Sequence, residues 1–200
     1  MTAASVQRLI VGISGASGVI YGIRVLETLR RLGVESHLVM SRTAEVTLAY
    51  ETDLKVADVQ RLASVVHGAG DLAAGPSSGS FRTDGMIVAP CSVKTLAEIA
   101  TGATTTLVSR AADVTLKERR RLVLLVRETP LHAGHLRNML AVTEMGAIVA
   151  PPVPAFYAKP KSLDAMIDHT VGRALDLFGL DAGLATRWGT RRLGKRGSAK

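Results

Sequence analysis

Arg8-Leu9-Ile10-Val11-Gly12-Ile13 runs directly into Ser14-Gly15-Ala16-Ser17-Gly18, and residues 20–32 follow with Ile20, Ile23, Leu26 and Leu29 at helical spacing. A short apolar run, a turn of small residues and a helical period make a strand–turn–helix unit of the kind that builds parallel sheets. Glycines let the backbone turn tightly and approach a ligand closely. The amino end of the helix offers N–H groups and partial positive charge to a phosphate, with Ser17 placed to cap it. The spacing is not the full G-x-G-x-x-G dinucleotide pattern, so a plain tight connection is the competing reading.

The same unit recurs along the chain. Strands are expected at 35–40, 85–89 (stopped by Pro90), 122–126 and 147–150. Helices are expected from Ser41 toward Tyr50 and over 56–66, 93–100, 106–116, 131–145 and 162–178. Residues 67–82, rich in Gly, Ala and Ser, read as a loop. Strands alternating with helices predict an α/β, three-layer Rossmann-like fold whose mostly parallel sheet is covered on both faces. Ligands of such sheets bind beyond the carboxyl ends of the strands, where strand order switches. Residues 14–18, Ser41, 90–95, 127–130 and 151–157 are therefore expected to converge. Residues 1–188 read as one domain and 189–200 as a flexible basic tail.

At 200 residues and 47% apolar, the chain has ample core material; at 4% aromatic, that core is aliphatic and each aromatic stands out. The formal charge of +8 owes six units to Arg187, Arg191, Arg192, Lys195, Arg196 and Lys200, which leaves about +2 for the body. No zinc-finger, RRM-like or basic-helix pattern accompanies it, so nucleic-acid binding is not expected. A single cysteine, Cys91, excludes an intrachain disulfide and suits a reducing compartment. The start of the chain is short and polar, and no run reaches the roughly 18 apolar residues of a membrane span. A cytoplasmic protein is expected.

The strand ends carry the chemistry. Pro90-Cys91-Ser92-Val93-Lys94-Thr95 is a second phosphate-type turn, or an ordinary helix start capped by Ser92. Cys91 reads as a small buried thiol rather than a nucleophile. Arg110 and Lys117, seven apart, share a helix face and can grip a phosphate dianion; a solvated face paired with Asp113 and Glu118 is the alternative. Arg127-Glu128-Thr129-Pro130 follows an apolar strand directly, so Glu128 can move a proton while Arg127 holds an anionic or carbonyl edge. Pairing with each other is the bland alternative, as plain exposure is for Glu51. Pro151-Pro152-Val153-Pro154-Ala155-Phe156-Tyr157 is stiff enough to fix two aromatic rings as a pocket wall. Arg173 sits among apolar neighbours, as a ligand or as a snorkelling surface arginine. His132 and His135 lack the further ligands a metal needs, and Ser17 lacks the elbow of a hydrolase nucleophile. No metal is expected.

Taken in order, these segments resemble the UbiX-type flavin prenyltransferases over about residues 8–188. The resemblance runs through residues 12–18, Tyr50-Glu51-Thr52-Asp53, Ser78-Gly79-Ser80-Phe81, residues 89–96, residues 110–119, Arg127-Glu128-Thr129-Pro130-Leu131, Pro154-Ala155-Phe156-Tyr157 and Arg187-Trp188. It implies a flavoprotein fold and an enzyme that joins the dimethylallyl group of dimethylallyl phosphate to reduced FMN at N5 and C6, without a metal. Prenylated FMN would pass to a UbiD-type decarboxylase. By position, Gly15, Ala16, Ser17, Ser41, Ser92, Val93, Lys94, Thr95 and Arg127 would hold FMN. Lys117, Tyr157 and Arg173 would hold the prenyl phosphate, and Arg110 would support its phosphate end. Glu51 and Glu128 would move protons, Ser17 would serve the reaction beside the flavin, and Trp188 would lie near the prenyl group. The resemblance also implies a homo-oligomer, a dodecamer, with sites shared between subunits.

Those residue types suit the chemistry. Breaking an allylic C–O bond leaves charge on phosphate, which fixed cations stabilise, and spreads positive charge over a prenyl group that aromatic faces shelter. Two competing readings remain: a flavin-dependent decarboxylase of the cysteine-decarboxylase group, and a non-catalytic FMN-carrying decarboxylase subunit. Residues 90–95 lack the Asn-containing motif of the first. Intact Glu51, Lys117, Glu128, Tyr157 and Arg173 weigh against the second.

Overall fold

The computed structural model describes residues 8–189; the basic residues from Arg191 onward, expected as a tail, lie outside them. Six strands form one parallel sheet: β1 (Arg8–Ile13), β2 (Glu35–Met40), β3 (Val65–His67), β4 (Gly85–Cys91), β5 (Arg121–Val126) and β6 (Ile148–Val149). Their spatial order is β3-β2-β1-β4-β5-β6, so the order reverses between β1 and β4.

Alternation along apolar strands builds two cores. Leu9, Val11 and Ile13 of β1, with Ile87, Val123 and Leu125, pack under helices α1 (Val19–Arg31) and α7 (Leu163–Asp176). Ile10, with Met86, Val88, Leu122 and Leu124, packs on the other face against α4 (Val93–Thr101), α5 (Leu107–Lys117) and α6 (Ala133–Glu144). The helices α2 (Arg42–Glu51) and α3 (Val56–Gln60) follow β2 and add Ala44, Leu48 and Val59 to the first core. This is the three-layer α/β arrangement that the sequence predicts, with the sheet wholly parallel.

Three local expectations are corrected. The helix expected over 56–66 ends at Gln60, and Val65–His67 pairs with His37–Val39 as a short edge strand. Two adjacent β-branched valines satisfy either period in so short a run, and the backbone of Ser64 bonds Ser36 to set the pairing. The strand β4 does not stop at Pro90 but runs to Cys91. Proline has no N–H to give, so the register with β5 shifts between Val88 and Cys91 and then resumes. Ser17 does not cap α1. Gly18 occupies the cap position with φ 97°, a left-handed conformation natural to glycine, and no side chain of its own to cap with.

Backbone links stitch the strand ends together. Ser41 N–H donates to Ile13 O at 2.9 Å and Arg127 N–H to Cys91 O at 3.0 Å. Buried Ser14 joins the end of β1 to the end of β4 three times: its backbone N–H and its hydroxyl donate to Pro90 O at 3.2 and 2.9 Å, and the hydroxyl accepts from Ser92 N–H at 2.8 Å.

Candidate active site

A cavity of about 550 Å³ opens at the reversal of strand order, lined from the ends of β1, β2, β4 and β5. That is within the roughly 300–1,000 Å³ of small-molecule sites. All nine residues expected to hold a flavin line it: Gly15, Ala16, Ser17, Ser41, Ser92, Val93, Lys94, Thr95 and Arg127. Glu128 lines it too. Three helices begin at its wall. Ser41, Ser92 and Thr106 are the N-caps of α2, α4 and α5, and their hydroxyls accept from Ala44, Thr95 and Ser109 N–H. Capping engages one N–H per helix, so the first N–H groups of each have no partner within the helix and face an anion favourably.

The charges follow the same plan. Arg42, Lys94 and Arg127 stand against Glu98 and Glu128. Glu98 is mostly buried, and its Oε1 takes Lys94 Nζ at 2.7 Å and the Thr105 hydroxyl. Arg127 and Glu128 are neighbours in sequence and line the cavity together, and Glu128 accepts the N–H of Thr129 at 2.9 Å. The charge of Arg127 reaches the Tyr21 phenol, which burial pushes up and Arg127 partly restrains. Beside the cavity, the Cys91 thiol is fully buried and its pKa is pushed up to about 12, which makes it inert as a nucleophile.

Gly15 serves packing more than ligand approach. A Cβ there would stand 2.4 Å from Thr43 Cγ2, so the missing side chain lets α2 close onto the first turn. Glu51 is not merely exposed. Its carboxylate accepts Gly18 N–H at 2.8 Å and Val19 N–H at 3.1 Å, closing the amino end of α1 that the sequence reserves for a phosphate.

The remaining expected residues form two other groups. Tyr157 and Arg173 line a second cavity of about 310 Å³ with apolar walls at Leu125, Ala150, Val153 and Ala155. Residues 151–157 thus do not join the first cavity: they leave β6, at the sheet edge, and fold back over α7. Tyr157 and Trp188 meet edge to face, 5.3 Å between centroids, with Trp188 exposed. Arg173 pairs with Asp176 at 2.6 Å. Arg110 and Lys117 lie along α5, Arg110 one turn after its cap Thr106 and Lys117 at its far end. Arg110 pairs with Asp113 at 2.8 Å and donates to Ser77 O, and Lys117 pairs with Glu118 at 2.5 Å beside Gly79. Thr106, at the first cavity, and Lys117 are separated by the length of an 11-residue helix, roughly 16 Å.

Sequence reasoning missed several residues. Thr106 and Ser109 form a capping box readable in Thr-Leu-Val-Ser, and Glu98 lies four residues after Lys94. Arg42 and Thr43 follow Ser41 directly. Ala69 and Gly70 enter from the long loop, where Ala69 O accepts Leu107 N–H at 2.8 Å, and carry no local signal. Among the described residues, no group of three His, Cys, Asp or Glu side chains is placed to hold a metal, and no helix is long and apolar enough to cross a membrane.

An open parallel sheet with a cavity at its switch point, walled by helix amino ends, is the arrangement of a nucleotide-binding α/β protein. The Flavoprotein family model matches residues 2–175. A flavin prenyltransferase UbiX of Thauera aromatica is 58% identical over 182 residues, covering 91% of this chain and 94% of that protein. The solved structure of AnUbiX (PadA1), in complex with FMN and dimethylallyl pyrophosphate, superposes with a TM-score of 0.91 at 58% identity, over 93% of this chain and 99% of that one. A dodecameric FMN-dependent UbiX-like decarboxylase from Escherichia coli O157:H7 gives 0.89 at 52% identity, over 91% and 99%. The chain belongs to the flavoprotein family and, within it, to the UbiX-type flavin prenyltransferases.

Proposed function

We propose that this protein transfers the dimethylallyl group of dimethylallyl phosphate to N5 and C6 of reduced FMN, in the cytoplasm, and passes prenylated FMN to a UbiD-type decarboxylase. The observation that carries this proposal is the meeting of four strand ends and three helix starts at one cavity that contains every residue expected to hold FMN. The donor set fits the group: hydroxyls and helix-start N–H groups for a phosphate, and a cation, Arg127, for the polar edge of a ring. Bound reduced FMN supplies two nucleophilic positions, N5 and C6.

The allylic C–O bond breaks with its electron pair leaving on phosphate, and inorganic phosphate departs. Arg173 and Tyr157 hold that phosphate in the second cavity, whose apolar wall takes the prenyl chain. Lys117 and Arg110 add the positive charge that stabilises the leaving dianion. Ser17 would place its hydroxyl beside the flavin, and Glu51 and Glu128 would move protons: one to the prenyl double bond, whose π electrons supply the second new bond, and one away from each of the two flavin positions that are alkylated. Trp188 and Tyr157 shelter the allyl cation with their ring faces. The three groups are separate within one chain, so neighbouring copies of a homo-oligomer, a dodecamer, complete the site.

The experiment is anaerobic incubation with reduced FMN and dimethylallyl phosphate, with inorganic phosphate measured against flavin consumed. One phosphate per flavin supports the proposal. Bound FMN with no phosphate released contradicts it and favours a carrier subunit.

A further inference from the structure

His169 is the one ionisable side chain of α7 buried beneath the second cavity, 6% exposed. Both ring nitrogens have partners. Nδ1 receives the backbone N–H of Thr186 at 3.3 Å, and Nε2 stands 3.2 Å from the Tyr157 hydroxyl. The two rings meet edge to face, 5.5 Å between centroids. A backbone N–H can only donate, so Nδ1 is the acceptor and the ring proton of the neutral imidazole sits on Nε2. Nε2–H then donates to the Tyr157 oxygen.

We infer that His169 is a positioning residue: by occupying an acceptor lone pair of Tyr157, it turns the phenolic proton outward, toward the phosphoryl oxygen of the prenyl donor. This rests on the proposed placement of that donor beside Tyr157 and Arg173. Burial lowers the His169 pKa below the ordinary imidazole range and the Arg173 charge acts in the same direction, against the weaker opposing charge of Asp176, in keeping with the unprotonated Nδ1 that accepts Thr186 N–H. The polarity of the chain is fixed at its covalent end. Thr186 N–H cannot reverse, therefore neither can the imidazole, and Tyr157 is left as a donor. A phosphate offers only acceptors, so a tyrosine held in this sense recognises it, while one turned inward would present a lone pair to an anion.

Two substitutions separate the two hydrogen bonds. His169→Asn keeps an acceptor near Nδ1 and loses the donor to Tyr157; His169→Gln carries an amide N–H out to the Nε2 position. The KM for dimethylallyl phosphate is read in both, in Tyr157→Phe and in His169→Asn/Tyr157→Phe, together with the Kd for FMN. His169→Asn is expected to raise KM about tenfold, with FMN affinity unchanged, and His169→Gln to recover most of the loss. Added to Tyr157→Phe, His169→Asn should raise KM no further. An unchanged KM in His169→Asn, or the same rise in the Tyr157→Phe background, overturns the inference. Two-bond proton–nitrogen correlation spectra of the histidine rings read the tautomer without any substrate. An Nε2–H signal for His169 supports the inference even where no prenyl transfer is found, which is how failure of the functional proposal would show; an Nδ1–H signal overturns it whatever the activity.

Discussion

The Glu51 carboxylate at the end of α2 closes the amino end of α1, accepting the N–H groups of Gly18 at 2.8 Å and of Val19 at 3.1 Å. A negative charge placed there complements the helix dipole and satisfies two donors that have no partner within the helix. Glu51→Ala is therefore expected to cost about 1 kcal/mol of stability, besides any effect on prenyl transfer. Urea denaturation measures it. A variant as stable as the parent would show that the contact contributes nothing and that Glu51 is purely chemical.

Ser14 ties the first turn to the second through one hydroxyl, a link with no local signal beyond the residue's place between a strand and a glycine. Ser14→Ala leaves Ser92 N–H without that partner, while Pro90 O keeps the backbone N–H of residue 14, at a cost of about 1–3 kcal/mol. Because both turns wall the same cavity, FMN affinity should fall with stability. An FMN Kd that stays unchanged while stability drops would mean the turns hold their positions without this link.

Arg127 and Arg173 lie in different cavities, so their losses should separate. Arg127→Ala is expected to weaken FMN binding tenfold or more, at about 1.5–3 kcal/mol for a charged hydrogen bond, while Arg173→Ala raises the KM for dimethylallyl phosphate and spares FMN. Fluorescence quenching of FMN and initial rates read the two effects. Equal loss of both in either variant would contradict the division of labour.

His67 provides a pH dependence whose sign is determined. Burial lowers its pKa below 6.5, the charge of His37 lowers it further, and Asp71 opposes both; His67 Nε2 lies 2.9 Å from His37 Nδ1, and the other ring nitrogen of His37, Nε2, meets Glu35 at 2.8 Å. Below about 6.5 the unfolded chain binds a proton that the native ring does not, so stability is full above that value and is lost as pH falls. The urea midpoint should drop between about pH 7.5 and about pH 5.5, and less so in His67→Gln. His169 shifts in the same direction, so the substitution removes only part of the slope. A midpoint that rises on acidification would contradict this.

What was legible in the sequence is what a repeating period writes. Fully apolar runs such as Leu122–Val126 and the amphipathic stretch ending in α7 fixed the layers, and small-residue turns after two strands located the cavity. Short segments were not legible: Val65-Val66-His67 is too brief to carry a period, and its strand exists only because β2 offers an open edge. The same limit explains the site. Residues 15–17 and 92–95 sit at strand ends and announce themselves, whereas Ala69 and Gly70 arrive through a long loop. Tyr157 was expected beside Arg127, but tertiary folding of the β6 edge sends it to α7.

The central claim is that the cavity between β1 and β4 seats reduced FMN for alkylation by an allylic phosphate. Its most direct test is the mass of the flavin recovered after anaerobic incubation with both compounds. A gain of one prenyl unit per flavin, abolished when dimethylallyl phosphate is withheld, is the predicted result. Recovery of unmodified FMN from protein saturated with both ligands would contradict it.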